Sequence, residues 1–336
     1  MAAAVTESQP GPPVHPWVAA AQGQVRFAVV GNWLSDWDAT VAFVQLVDEL
    51  GFDAYWANDH PTRSMDCWTY LTALAGVTRR LRLMSLVSCV YYRSPIALAR
   101  QAADVDRVSG GRLVLGLGIG DDEPEFRQLG LAYPPPAERQ RVLEETIHVV
   151  RGLWSGQPFS FEGRYFQLDE VSLRPGPVQQ PHVPLLIGGA GERTTLRQVA
   201  AYADVSNFGA HAWAGSVFGA EEVKDKYTVL AQRCAEQGRP FEAILRSHYT
   251  PLIALAPTPP ALERKRATAR IPDPHVRTGP VFATPVEAVS HYQLLADAGA
   301  QYFLVCVDAG DRETLELLAH EVVPYLTPGT AAGTLA

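Results

Sequence analysis

A single (β/α)8 barrel is the architecture this sequence predicts, and three observations predict it. Short β-branched or apolar runs alternate with longer amphipathic ones eight times along the chain. The segments with candidate chemistry fall just after the apolar runs, where the active face of a parallel barrel lies. A length of 336 residues also suits one barrel of roughly 250 residues with tails and insertions.

The strands are read at 25–31 (VRFAVVG), 53–57, 81–88 (LRLMSLVS), 112–118 (RLVLGLG), 184–188 (PLLIG), 203–208, 246–255 and 301–307 (QYFLVCV). Helical patterns lie between them at 36–50, 67–79, 94–109, 136–154, 192–202, 219–237, 284–298 and 311–325. Strict alternation favours a closed barrel over an open doubly wound sheet. The barrel thus spans 25–327, with two long insertions. Residues 155–183 contain FSFEGRYFQL, which alternates aromatic and polar residues about Gly163 and predicts a β-hairpin. Residues 256–283 are rich in Pro, Arg and Gly and show no period, which predicts a mobile lid carrying Arg264, Arg266, Arg270 and Arg277, or else a solvated surface loop. Residues 1–24 and 328–336 read as tails, disordered unless they dock.

A net charge of -8 without a basic block argues against nucleic acid as a partner. The lysines are Lys224, Lys226 and Lys265, all outside the strand ends, which argues against a Schiff-base aldolase. Cys67, Cys89, Cys234 and Cys306 form no CxxC pair, so neither a zinc ribbon nor a dithiol motif is available, and a reduced cytoplasmic setting is expected. The start lacks the pattern of a secretory signal, and no run is long enough to span a membrane.

Three segments could carry chemistry. Trp56-Ala57-Asn58-Asp59-His60 ends the second strand, placing an Asp-His pair for proton transfer at the barrel mouth; alternatively Asp59 caps the next segment and His60 satisfies a loop carbonyl. A metal at His60 would need further converging His or Asp ligands, whereas the first strand ends Gly31-Asn32-Trp33, so no metal is expected. Gly116-Leu117-Gly118-Ile119-Gly120-Asp121-Asp122-Glu123 follows the fourth strand. Its glycines would let a planar ring or phosphate approach the backbone; the plain alternative is a turn in which Asp121 or Asp122 caps a short helix. Its GxGxG spacing and mid-chain position do not fit a dinucleotide fingerprint. Gly188-Gly189-Ala190-Gly191-Glu192-Arg193-Thr194-Thr195 lies between the fifth strand and a helix and suits either an anion or an ordinary strand-to-helix turn.

In this order, DELGFDAYWANDH, SPIALARQAADVDRVSGGRLVLGLGIG, FEGRYFQL and PLLIGGAGERTTLRQVAAYADVSNF resemble the bacterial luciferase-like monooxygenase superfamily, most closely its branch using the deazaflavin coenzyme F-420 (8-hydroxy-5-deazaflavin). The resemblance is strong over residues 25–210 and looser beyond. It implies a bulge in the third strand, often with a non-proline cis peptide, at Leu86-Val87-Ser88 under one face of the ring. It further implies Asn58 and Gly118-Ile119-Gly120 near the ring, Gly188 to Gly191 on the phosphate-bearing tail and Asn207 at the ring edge. His60 matches the histidine that deazaflavin dehydrogenases use near the hydride-transfer carbon. Asp121 stands where many members have an aromatic residue and some dehydrogenases a glutamate.

The expected activity is therefore hydride transfer between coenzyme F-420 and a small organic substrate, with His60 and Asp121 assisting the proton. The alternatives are an FMN-dependent monooxygenase and a flavin-binding relative without a reaction, the last being disfavoured by the proton donors. Trp33, Tyr91, Tyr92, His211 and Trp213 fall near strand ends and would wall an aromatic pocket, or else pack in the core. A homodimer is expected.

Overall fold

The computed structural model describes residues 14–32, 36–212, 214–269 and 279–329. Eight parallel strands close on one another: β1 (Arg26–Asn32), β2 (Ala54–Ala57), β3 (Arg82–Ser85), β4 (Leu113–Gly118), β5 (Leu185–Gly188), β6 (Val205–Gly209), β7 (Leu245–Thr250) and β8 (Tyr302–Asp308). Each pairs with the next, and β8 returns to β1 in a register running from Arg26 opposite Tyr302 to Asn32 opposite Asp308. Helices cover the outside, so strands such as β4 and β6 are buried along their whole length and read as unbroken apolar runs.

The chain marks its own helix ends. In the helix Pro95–Ser109, Ser94 accepts from the Ala97 amide, Pro95 takes the first position, and Gly110 closes the far end at φ +69°. Thr284 and Glu287 form a capping box at the start of Pro285–Asp297.

Three elements depart from the sequence reading. The ladder expected over 81–88 stops at Ser85 and resumes at Ser88–Cys89, which pairs with Leu117 and Gly118. The strand expected over 246–255 ends at Thr250, because Pro251 has no amide to donate; Ile253–Leu255 then pairs with Val281–Ala283 outside the barrel. Within 256–283, expected to be aperiodic, Pro259–Thr268 is helical. Lys265 ties that helix to Leu255 O (2.5 Å), Asp311 (2.7 Å) and Glu313 (2.8 Å). Arg270 and Arg277 lie outside the described residues. Residues 159–171 hold an antiparallel hairpin, Phe159–Glu162 with Gln167–Val171, whose turn amides at Arg164, Tyr165 and Phe166 donate to Glu145.

The amino-terminal end of the barrel is sealed. Residues 14–24, read as part of a tail, contain the helix Pro16–Ala21, which buries Trp17, Val18 and Ala21 and sets Trp17 edge-on to Tyr302 at 5.9 Å. Asp204, just before β6, is wholly buried and accepts from His182 Nε2 and the Leu185 amide, both at 2.8 Å. Burial opposes its ionisation, yet these donors and the nearby Arg151 hold its carboxyl below the usual range. The Arg112 guanidinium, just before β4, donates to carbonyls at Ala75, Thr78, Leu81 and Ser109.

Candidate active site

At the carboxyl ends of the strands lies a cavity of about 390 Å³, within the size range of ligand pockets. Its floor is the break in the third strand, where the Leu86–Val87 peptide is cis. The neighbouring glycines are shaped to this bulge. Ser85 Oγ donates to Gly116 O (2.9 Å) and accepts from Gly116 N (3.0 Å), and a Cβ at 116 would sit 2.0 Å from Ser85 O. A Cβ at Gly118 would lie 2.5 Å from Val87 Cγ2. Gly116→Ala should therefore cost about 1–3 kcal/mol through overpacking against backbone, read as a lower urea midpoint with the same m-value. An unchanged midpoint would show that the bulge can shift freely.

Asn58, His60, Leu86, Val87, Gly118, Ile119, Gly120, Asp121, Gly188, Gly189, Ala190, Gly191, Asn207, Tyr92 and His211 all line this cavity. Two expected residues do not. Ser88 lies beneath the floor with its hydroxyl donating to Asp59 (2.7 Å), and Tyr91 packs against Phe126, with ring centroids 5.5 Å apart, instead of facing the pocket. Trp33 and Trp213 lie outside the described residues. Thr195, at the end of the third candidate segment, also lines the cavity, whereas sequence reasoning did not single out Arg139, Gln140 or Tyr249. It also missed Glu125, which stands behind His60.

Asp59 anchors the floor. Its Oδ2 accepts from Ser88 Oγ, from the Cys89 amide (3.2 Å) and from Arg93 Nη1 (2.5 Å), while Arg93 Nη2 reaches Asp66 (2.7 Å). Burial pushes the Cys89 thiol up to about 12, so it stays protonated.

His60 Nδ1 lies 2.6 Å from Glu125 Oε2, on the short helix Glu123–Gln128. Asp122 caps that helix through the Glu125 amide. Burial works against the Glu125 carboxylate, but hydrogen bonds from His60, Thr62 and Tyr92 outweigh it and hold its pKa below the usual range. Asp121 is open at the rim, yet protein crowds it enough that desolvation raises its carboxyl pKa, His60 opposing the shift. Arg139 is committed to structure: it donates to the carbonyls of Pro134, Ile119 and Gly120 and covers the Tyr133 ring.

On the opposite wall Gly189 adopts φ +121°, open to glycine, ahead of the helix Thr195–Tyr202. Thr194 gives that helix no side-chain cap, and Gln140 Nε2 donates to Thr195 Oγ1 at 3.0 Å. Helix-start amides beside glycines suit a phosphate. At 118 and 120 the missing side chains make room for Val87, Phe126 and Cys89, so the fit to a ring system with a phosphate-bearing tail rests on the Val87 floor, the cavity volume and the glycines within 188–191. Among the described residues, no group of three or more His, Cys, Asp and Glu is arranged to hold a metal ion, and no helix is long and apolar enough to cross a membrane.

These features define a (β/α)8 barrel with a ligand-sized cavity at the carboxyl ends of its strands. The family model of luciferase-like monooxygenases matches residues 10–319, and the chain belongs to that family. An uncharacterized protein of Mycobacterium tuberculosis is 34% identical over 152 residues, 45% of this chain and 52% of that one. The FMNH2-dependent dimethylsulfone monooxygenase of Pseudomonas putida is 30% identical over 148 residues, 44% of this chain and 40% of that one. The chain thus spans about half the length of the curated relatives it matches. The structure of the coenzyme F420-dependent tetrahydromethanopterin reductase of Methanopyrus kandleri superposes with a TM-score of 0.73 at 19% identity, covering 90% of this chain and 99% of that one.

Proposed function

We propose that the cavity seats coenzyme F-420 and that the enzyme transfers a hydride between it and a small organic substrate, His60 moving the accompanying proton. The observation that carries this reading is His60 itself: an imidazole braced through Nδ1 by Glu125, on the wall of a cavity floored by the Leu86–Val87 bulge. When bound, the coenzyme supplies a ring carbon that gives or takes a hydride and reacts poorly with oxygen.

The chain's own residues then have separable tasks. Leu86 and Val87 would support one ring face, Gly118 to Gly120 border its edge, and Asn207 the far edge. Gly188 to Gly191 and the start of Thr195–Tyr202 take the phosphate. Asp121, whose carboxyl pKa desolvation raises, stands at the rim beside His60 as a second group that can exchange a proton. Tyr92 and His211 narrow the substrate side and exclude water.

The kinship to an FMNH2-dependent monooxygenase supports a second reading, in which reduced FMN and oxygen take the same cavity. Titrating the purified protein separately with oxidised F-420 and FMN, followed by absorbance, and then screening alcohols and unsaturated compounds with and without oxygen, separates the two. Tight F-420 binding and oxygen-independent turnover are expected. Tight FMN binding with oxygen-dependent product would overturn the first reading in favour of the second.

A further inference from the structure

We propose that Glu125 is the positioning residue for His60, fixing which ring nitrogen carries the working proton; this rests on the role given to His60 above. The two residues are 65 positions apart in sequence, yet the Glu125 side chain is fully buried and bonded to the half-buried imidazole.

The scaffold around Glu125 is rigid. Asp122 Oδ1 accepts from the Glu125 amide (2.9 Å), Asp122 pairs with Arg63, and the neighbouring Phe126 is wedged among Tyr91, Tyr92 and Tyr133. Each carboxylate oxygen takes two donors. Oε1 accepts from Thr62 Oγ1 (2.8 Å) and from the Thr62 amide (3.3 Å). Oε2 accepts from Tyr92 OH (3.0 Å) and from His60 Nδ1 (2.6 Å).

An ionised carboxylate can only accept, so the hydrogen between it and the imidazole belongs to Nδ1. The neutral ring therefore has its lone pair on Nε2, and the charged ring has its exchangeable proton there. Nε2 is the atom through which His60 takes or gives the proton that accompanies hydride transfer. If Glu125 only stapled the 57–63 loop to the helix, either tautomer would serve.

Substitution by glutamine separates these two cases. The Thr62 amide is a fixed donor, so it retains the carbonyl oxygen of Gln and leaves the NH2 facing His60 and Tyr92. The imidazole must then accept at Nδ1, which moves its hydrogen to Nε2. Ring nitrogen NMR shifts of the full-length protein across pH, with His60 assigned by its loss in His60→Asn, read this directly without any cofactor. The expected result is an Nδ1–H tautomer for neutral His60 in the native protein and reversal in Glu125→Gln. An Nε2–H tautomer in the native protein overturns the proposal, as does an unchanged tautomer in Glu125→Gln. If Glu125→Gln does not fold, the native tautomer alone decides. Native-like turnover in His60→Ala would defeat the role of His60 and leave the tautomer assignment standing.

Discussion

Replacing His60 by alanine is expected to lower turnover about 10²–10⁴-fold, with F-420 affinity changed no more than a few-fold. That range corresponds to about 2.7–5.4 kcal/mol on the barrier. The asymmetry between rate and binding follows from position. His60 stands on the cavity wall with Glu125 behind it, whereas the floor and the opposite wall are built by Leu86, Val87 and Gly188 to Gly191. The measurement is turnover with the substrate found by the absorbance screen, beside a binding titration of the same variant. A folded variant with native turnover would remove His60 from the chemistry. A variant that loses F-420 binding as steeply as turnover would show that the imidazole mainly holds the ring.

The second large effect concerns stability. Asp59→Ala is expected to cost about 3–5 kcal/mol, because it removes one member of a buried ion pair and leaves the other charge and two hydrogen-bond donors without their acceptor. The Asp59 side chain is 1% exposed and that of Arg93 11%. Arg93 would keep only Asp66, while Ser88 Oγ and the Cys89 amide would lose their carboxylate. Because both donors lie just past Val87, the cavity floor should loosen too, and F-420 affinity should fall together with the urea midpoint. Asp59→Asn should lose less, since an amide oxygen still accepts from two of the three donors. A loss below about 1 kcal/mol in Asp59→Ala would mean that water and Asp66 replace the carboxylate, consistent with the small net worth of exposed pairs.

The barrel was legible because its strands are buried on both faces and read as unbroken apolar runs, as at RLVLGLG and QYFLVCV, while its long helices carry an amphipathic period. What was missed is short or non-local. The helix Glu123–Gln128 is six residues long and too brief for a period, although an Asp capping a short helix there was one of the readings open. Pro259–Thr268 buries only Leu262, so it shows no apolar stripe. Pro16–Ala21 is a single docked turn and a half in a Pro-rich stretch. The pairing of His60 with Glu125, and of Asp59 with Arg93, depends on loops from different strands meeting at the mouth, which no local spacing encodes. The glycines of GLGIG were read for their openness to a ligand; Gly116 instead answers to Ser85, and Gly118 to Val87.

The sealed amino-terminal end carries a consequence for how such an enzyme can change over generations. Asp204, Arg112 and the docked Trp17 hold the barrel from the end opposite the cavity, using contacts that no substrate touches. Folding and chemistry are thereby inherited through different residues of one chain. Replacements at Ile119, His211 or Ala214, which line the cavity, are expected to alter what the mouth admits without touching the contacts at the other end. Lineages that share this lower framework are free to diverge in the molecules they act upon, each new preference arising from a few exchanged rim positions and not from a rebuilt barrel.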